Sequence, residues 1–228
     1  MRDFHLPGRS VVLATNGMCA TSHPLAATAA IDILKKGGNA ADAAVSAAVL
    51  LGMCEPQMTG LGGDMFALIQ RNPTSDVVAL NGSGRAPRAA NAAALRKKGL
   101  SAVPLRGIDA ITLPGAVDGF CRMITDFGDM NLANVLAPAI HYAREGIPVA
   151  PRVAFDWSEG ANALQGSAKN KFLIDGRVPK VGQIFRSPAQ AEALELIASE
   201  GRDGFYRGPV ALDMIKSLQA LGGSHTID

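Results

Sequence analysis

Apolar residues recur at helical spacing in the segment that begins at Pro24. Leu25 and Ile33 fall on one face of a helix, and Asp32 and Lys36 fall on the opposite face. A helix of this kind packs one side on a core and leaves the other side in water. Proline suits the first turn and glycine the end, so the pattern predicts an amphipathic helix up to the following glycine pair.

The next segment, "NAADAAVSAAVLLG", is apolar on every face. Asn39 can cap a helix and Asp42 lies in its first turn, where the helix dipole favours a negative charge. After Asp42, Ser46 is the only polar residue among alanine, valine and leucine. A helix without a polar face is buried on all sides, so we predict that this helix lies at the centre of the domain.

Two pairs of apolar runs predict β-hairpins. The first spans Ser10–Ser22 around Asn16-Gly17, a dipeptide that favours a type I′ turn. The second joins Met65–Gln70 to Asp76–Leu80 through a turn at Asn72-Pro73. The second hairpin places the following "GSGRAP" segment at the edge or mouth of a sheet.

The second half of the sequence predicts mainly helices. Apolar periodicity marks the segments 112–128 and 131–146, the latter with Pro138 at its start or at a kink. The segment 187–201 has Ser187 as a candidate cap, Gln190 at the capping-box position and Gly201 as a stop. The segment 208–223 repeats the pattern of proline at the start and glycine at the end. Residues 150–183 are the most irregular.

Composition and charge narrow the function classes. The 228 residues are 48% hydrophobic and 18% charged with a net charge of +2, which is typical of a globular protein and does not favour nucleic acid or an anionic membrane as partner. The longest apolar run, residues 43–54, is too short to cross a bilayer. The first ten residues lack the apolar core of a signal peptide, so we expect a cytoplasmic location, or a periplasmic one if a leader has been removed.

The residues that often carry chemistry form no recognisable set. Three cysteines lie far apart and none is in a CxxC pair, and no two histidines have metal-ligand spacing, so we expect no metal and no cofactor. The "GLGGD" segment at 60–64 lacks the lysine of a phosphate loop and connects a helix to a strand, which disfavours nucleotide binding. A G-x-S-x-G nucleophile motif is also missing.

One long passage, "NGMCATSHPLAATAAIDILKKGGNAADAAVSAAVLLGMCEPQMTGLGGDMFALI", covers Asn16–Ile69. Five shorter passages follow it in order: "APRAA" (86–90), "LPGAVDGF" (113–120), "LAPAIHYAREGIPV" (136–149), "EGRDGFYRGPVA" (200–211) and "LGGSHTID" (221–228). In this series of passages the sequence resembles the N-terminal, large-subunit region of the γ-glutamyltranspeptidase family.

This resemblance implies an N-terminal nucleophile hydrolase whose precursor cuts itself. The fold class implied is α+β: part of an αββα sandwich, helix-rich with a few antiparallel strands. We expect residues 1–228 to form a single domain, with a strand/helix core in 1–90 and mainly helices in 91–228. The nucleophilic threonine would start the small subunit, so the implied partners are that subunit and a small-molecule amide, and no residue of this chain is expected to be catalytic.

The resemblance also points to a substrate-binding position. In the family, an arginine just before an Ala-Pro pair grips the substrate's α-carboxylate, and counting back from Ala86-Pro87 places Ser83 there. Ser83-Gly84 replaces the usual Arg-Glu, and the nearest arginine is Arg85. This serine-glycine-arginine version resembles the subgroup of oxamate amidohydrolase and transpeptidase-like acylases.

Ser83 and Arg85 are therefore the candidate substrate-binding residues. Arg85 either binds a substrate anion or has a structural role, in a salt bridge or a solvated turn. The implied function is an amide hydrolase or acyl transferase acting on γ-glutamyl compounds or on a related small anionic amide such as oxamate. The alternative is a non-catalytic module on the same scaffold that binds a small ligand or another protein.

Overall fold

The computed structural model describes residues 11–228, which form helices and short antiparallel strands. The elements of the first half are α1 (Pro24–Lys35), α2 (Ala40–Cys54), β1 (Met65–Ile69), β2 (Val78–Gly82), α3 (Ala92–Lys97), a 3₁₀ turn (Ile108–Ala110) and α4 (Ala116–Phe127). Those of the second half are α5 (Leu132–Glu145), β3 (Ile147–Pro148), α6 (Pro151–Gly160), a 3₁₀ turn (Ala161–Ala163), α7 (Ala168–Phe172), β4 (Ile184–Phe185), α8 (Pro188–Glu200), α9 (Asp203–Tyr206) and α10 (Pro209–Ala220).

Helix α2 lies at the centre of the helical core, as its sequence predicts. Eleven of its fifteen residues are buried, and it packs against α1, α4 and α5. The Asn39 side chain accepts hydrogen bonds from the N–H groups of Ala41 and Asp42, and the Asp42 carboxylate accepts one from the N–H of Asn39. This reciprocal capping box fixes the start of the helix.

Asp42 also joins α2 to the connection between α4 and α5. Its side chain is fully buried and accepts hydrogen bonds from the N–H groups of Asp129, at 3.0 Å, and Met130, at 3.3 Å. A buried carboxylate needs such donors because water is not available to it. One side chain therefore caps its own helix and holds a loop almost ninety residues away in sequence.

A second helix pair extends this core. α5 packs on α2 and on α8, and it continues through Pro138. The Arg144 guanidinium forms a bidentate ion pair with the Glu195 carboxylate, with N–O distances of 2.8 and 2.6 Å.

One buried hydrophobic cluster contains residues from both sides of position 90. The assignment of residues 1–228 to a single domain stays a prediction.

The hairpin of β1 and β2 covers one side of α4. The strands are antiparallel and pair Met65 with Gly82 and Ile69 with Val78. Met65 is buried, whereas Phe66 and Leu68, which point to the other face, are 67% and 79% exposed. The hairpin thus has one face on the helical core and one apolar face in solvent, and this outer apolar face is called the open face below.

Three local predictions were wrong. Residues 11–21 form no strand, so the predicted hairpin around Asn16-Gly17 is absent; Ser10 lies outside the described residues. Gly17 has a φ of 144°, but Asn16 does not have the positive φ that a type I′ turn also requires.

Helix α8 begins at Pro188 without a side-chain hydrogen bond from Ser187, so neither the predicted cap nor the capping box forms. The Ser187 N–H instead donates to the Ala143 carbonyl and ties α8 to α5. The segment 150–183, predicted to be the most irregular, contains α6, a 3₁₀ turn and α7. The buried Trp157 of α6 packs edge-on against Phe185.

Among residues 11–228, no helix is both long and apolar enough to span a membrane.

Candidate functional site

The segment Ser83–Arg85 continues directly from β2 and is held by hydrogen bonds to its backbone. The Ser83 N–H donates to Oδ1 of Asn81, at 2.9 Å, and the Gly84 N–H donates to Oδ1 of Asp64, at 2.8 Å. The Arg85 carbonyl accepts from the N–H of Leu113, at 2.9 Å. The backbone is therefore fixed on two sides, while the side chains of Ser83 and Arg85 are exposed.

Glycine is required where this segment crosses the residues before α4. A Cβ atom at Gly84 would overlap the carbonyl oxygen of Leu113, and one at Gly115 would overlap the carbonyl oxygen of Gly82. At Gly82 a Cβ would lie 2.8 Å from the Met65 carbonyl oxygen, which is also too close. The backbone of residues 82–84 and the backbone of residues 113–115 lie so close together that a side chain at these glycines would clash.

A cavity of about 460 Å³ lies beside this crossing. One wall comes from the segment 83–85 and the residues that begin α4, and the opposite wall comes from α9, α10 and the last four residues of the chain. The lining residues are Ser83, Gly84, Arg85, Leu113, Pro114, Gly115, Asp118, Arg202, Tyr206, Arg207, Ala211, Met214, Ile215, Leu218, His225, Thr226, Ile227 and Asp228. Both predicted site residues therefore lie at one cavity.

Tyr206 fixes the wall formed by the start of α4. Its hydroxyl donates to the Pro114 carbonyl, at 2.7 Å, and accepts from the Asp118 N–H, at 3.0 Å. The phenol can fill both roles only while it is protonated, and burial raises the pKa of Tyr206 to about 12. Since Gly115 has no side chain to cap α4, this hydroxyl supplies the missing acceptor.

The three arginines of the cavity have different partners. Arg202 donates from Nε to Oδ1 of Asp118, at 2.5 Å, and its guanidinium stacks 4.8 Å from the ring centre of Tyr206. Arg207 has Nε 3.6 Å from Oδ1 of Asp203. The guanidinium of Arg85 makes no hydrogen bond or ion pair within residues 11–228. Of these three cations, Arg85 alone lacks a carboxylate partner in the described part of the chain.

His225 is a buried residue that lines the cavity. It is 2% exposed, and its Nε2 lies 3.0 Å from the carbonyl oxygen of Ile111, so Nε2 carries the proton and donates. The His225 carbonyl accepts from Nε2 of Gln219, at 2.9 Å. These contacts hold the last residues of the chain against the segment that precedes α4.

Sequence reasoning found Ser83 and Arg85 but gave no role to Arg202, Tyr206, Asp118 or His225. The spacing of Arg202 and Tyr206, four residues apart, indicates that their side chains share a helical face. Their partner Asp118 lies 84 residues earlier than Arg202, and nothing in a single sequence joins the two. Within residues 11–228, no three His, Cys, Asp or Glu side chains are grouped so as to hold a metal ion.

Comparison with known proteins gives a consistent set of relatives. The chain is 40% identical over 220 residues to the glutathione hydrolase-like YwrD proenzyme of Bacillus subtilis, covering 95% of this chain and 42% of that protein. It is 37% identical over 218 residues to the oxamate amidohydrolase proenzyme of Klebsiella pneumoniae, covering 92% and 41%. The chain thus spans about two fifths of the length of these relatives.

Solved structures show the same relationship. Cephalosporin acylase from Bacillus halodurans superposes with a TM-score of 0.90 at 38% identity, over 99% of this chain and 44% of that one. The γ-glutamyltranspeptidase of Helicobacter pylori gives a TM-score of 0.89 at 29% identity, over 96% and 64%. These likenesses confirm the predicted fold class, a partial α+β fold of the N-terminal nucleophile hydrolases.

The family model described as gamma-glutamyltranspeptidase matches residues 26–228, which is most of the chain. The resemblance inferred from the motifs is therefore confirmed, and the chain belongs to the γ-glutamyltranspeptidase family.

Proposed function

We propose that this chain is the large-subunit portion of an amide hydrolase or acyl transferase that acts on small anionic amides. In this proposal Arg85 and Ser83 bind the anionic group of the substrate. The nucleophile is a threonine at the start of a small subunit cut from the same precursor, so the chain by itself is inactive. We also propose that residues 1–228 form one domain and that the protein is cytoplasmic, or periplasmic if a leader is removed.

The observation that carries this proposal is the state of Arg85. An exposed arginine that lines a cavity and has no carboxylate partner among residues 11–228 leaves its donors available to a carboxylate or an oxamate-like anion. Ser83, exposed two residues before it, can add a hydroxyl donor. Arg202 and Arg207 suit this role less well because each already faces an aspartate.

The chemistry proposed for the complete enzyme follows from the family. The threonine hydroxyl attacks the amide carbonyl, with the free α-amino group of the same residue as its base. The amine leaves, an acyl-enzyme forms, and water or an amino acid then takes the acyl group. The contribution of this chain is to bind the substrate anion and hold the carbonyl at the nucleophile, which lowers the entropic cost of the attack.

The open face of the hairpin supports the proposed second subunit. Phe66 and Leu68 present large apolar side chains to solvent on neighbouring outward positions of β1. Such a face is expected to be covered in the assembled protein, because burying apolar area is worth roughly 25 cal/mol per Å². A small subunit that adds the second sheet of the αββα sandwich would cover it.

The proposal is tested in the full-length protein that contains this chain. Mass spectrometry of the purified product should find two chains, the second beginning with threonine. Arg85→Ala should raise KM for oxamate about 10- to 100-fold, since a charge-assisted hydrogen bond contributes about 1.5–3 kcal/mol, while self-cleavage stays intact. The matched control is Arg88→Ala, because Arg88 is also exposed and lies three residues further on.

Two results would contradict this assignment. If the Arg85→Ala and wild-type enzymes have equal KM and kcat for oxamate, Arg85 does not bind the substrate and has a structural role. A natural product with no second chain and no turnover of any amide would favour the alternative, a non-catalytic binding module on the same scaffold. Turnover of γ-glutamyl anilides should be weak, because Ser83 stands where the family has arginine; efficient γ-glutamyl transfer would show that Ser83 is no obstacle.

A further inference from the structure

Asp64 links the glycine-rich loop to the proposed substrate-binding segment. It stands immediately before β1, and Met65 makes the last strand pair of the hairpin with Gly82. One step beyond that pair, the Asp64 carboxylate accepts the N–H of Gly84 at 2.8 Å. The side chain therefore continues the hydrogen bonding of the hairpin past the end of its strands.

The neighbouring residue holds the other side of the crossing. The Gly63 carbonyl accepts hydrogen bonds from the N–H groups of Gly115, at 3.0 Å, and Ala116, at 2.9 Å. Two consecutive residues thus bind both backbones that form the cavity wall, Gly63 the start of α4 and Asp64 the segment that carries Arg85.

The Asp64 carboxylate holds this segment without neutralising its arginine. Its Oδ1 is engaged by a backbone N–H, and no ion pair joins Asp64 to Arg85. Asp64 binds the residue next to Arg85, and a carboxylate paired with the guanidinium would compete with a substrate anion for its donors. Here the carboxylate accepts from the Gly84 N–H and makes no ion pair with Arg85, so the donors of the guanidinium stay available to a substrate anion.

We propose that Asp64 is a positioning residue for substrate binding, acting through the backbone of Gly84 on the placement of Arg85. This inference rests on the proposed role of Arg85. It makes the last residue of the "GLGGD" segment part of the binding apparatus, although Asp64 is not expected to touch the substrate.

The test is a double-mutant cycle in the full-length protein with oxamate as substrate. Asp64→Ala should raise KM about tenfold with a smaller change in kcat. The variant no longer holds Arg85 in place, but the nucleophile that carries out the reaction is unchanged. Asp64→Asn keeps an oxygen acceptor for the Gly84 N–H and should stay within about twofold of wild type. Asp76→Ala, at the far end of the same hairpin, is the matched control and should be silent.

The cycle distinguishes a positioning role from a general structural one. If Asp64 acts through Arg85, Asp64→Ala should add less than about twofold to KM in an Arg85→Ala background. The same tenfold rise in both backgrounds, or no rise in either, would overturn the inference while leaving the role of Arg85 intact. If Arg85→Ala itself leaves KM unchanged, the proposed function fails and this inference fails with it. Self-cleavage and the melting temperature of each variant show whether it has folded, and Asp64→Asn supplies the comparison if Asp64→Ala does not.

Discussion

The helical core and the β1–β2 hairpin bury their apolar residues to very different extents. In α2, eleven of fifteen residues are buried, and even its aspartate is enclosed and fully hydrogen-bonded. In the hairpin, Phe66 and Leu68 lie in solvent on the open face. The core is well packed within residues 11–228, whereas one apolar face of the hairpin is exposed. The proposed substrate-binding residues follow directly where the hairpin ends at Gly82.

Stability and substrate binding are assigned to different parts of the chain. A packed helical core specifies the fold through many mutually supporting contacts. The segment 83–85 is carried by a few backbone hydrogen bonds at the edge of that core, so its side chains can face a ligand. Changes in the core should therefore affect stability, and changes in the segment 83–85 should affect activity.

The largest effect is expected from Asp42→Ala in the core. Three backbone N–H donors lose their acceptor, and unpaired buried donors cost about 1–3 kcal/mol each, so the free energy of opening α2 should fall by about 3 kcal/mol or more. Amide hydrogen exchange along α2 measures this quantity. The control, Asp32→Ala on the wet face of α1, should change it by less than about 0.5 kcal/mol. Similar small effects of both changes would contradict the central role of Asp42.

The next effect concerns the crossing of backbones beside the cavity. Ser83→Arg alone should increase turnover of γ-glutamyl anilides, because it restores a guanidinium at the family's position. Ser83→Arg with Gly84→Glu should instead lose about 5- to 150-fold in activity, since any Cβ at 84 overlaps the Leu113 carbonyl and overpacking costs about 1–3 kcal/mol.

Steady-state kinetics of both variants check this pair. Gly62→Ala is the control, because a Cβ there meets nothing within 4 Å. A doubly substituted enzyme more active on γ-glutamyl anilides than the single variant would show that the backbone can move aside.

A smaller effect is expected from Tyr206→Phe. Loss of the hydroxyl leaves the Asp118 N–H and the Pro114 carbonyl without their partner, which should lower the free energy of unfolding by about 1 kcal/mol at pH 7. The pKa of this phenol is raised from about 10 in the unfolded chain to about 12 in the fold. Its contribution is therefore complete below pH 10 and is lost as the pH rises to about 12.

Urea unfolding between pH 7 and pH 12 tests this window. The wild type should lose stability more steeply above pH 10 than Tyr206→Phe does, whereas Tyr142→Phe should follow the wild type. Parallel curves for all three proteins would mean that the Tyr206 hydroxyl is not buried as described.

The smallest effect on the core is expected from Phe66→Ser on the open face. Its side chain is already 67% exposed, so hydrogen exchange in α2 should be unchanged. If the small subunit covers this face, the same substitution should weaken the association of the two chains after processing. Size-exclusion chromatography of the processed protein measures that association. A large loss of protection in α2 would show that the hairpin and the core are not separable.

The parts predicted correctly from sequence are those specified locally. The apolar periodicity and the end signals predicted α1 and α2 correctly. The two apolar runs and the turn at Asn72-Pro73 predicted the second hairpin. The hairpin around Asn16-Gly17 was wrong because a favourable turn dipeptide does not make two strands, and an isolated hairpin is marginal in water. Helix α6 was missed because Pro151 is its only clear boundary mark.

The site was predictable only in part, for a different reason. Ser83 and Arg85 were located through a motif, since they lie next to Ala86-Pro87 in sequence. The cavity joins segments about ninety residues apart, such as Pro114 and Tyr206, and periodicity within one segment carries no information on that contact. The need for glycine at position 84 likewise depends on a carbonyl that lies in another segment.

The glycine crossing has a consequence for how substrate preference can change in this protein. Position 84 cannot vary independently, because the path of residues 113–115 excludes every side chain there. Asp64 in turn supplies an acceptor to the Gly84 amide. Introducing a relative's side chain at position 84 would therefore require exchanging residues 63–64, 82–87 and 112–116 as one unit, because a single substitution there would displace the segment that carries Arg85.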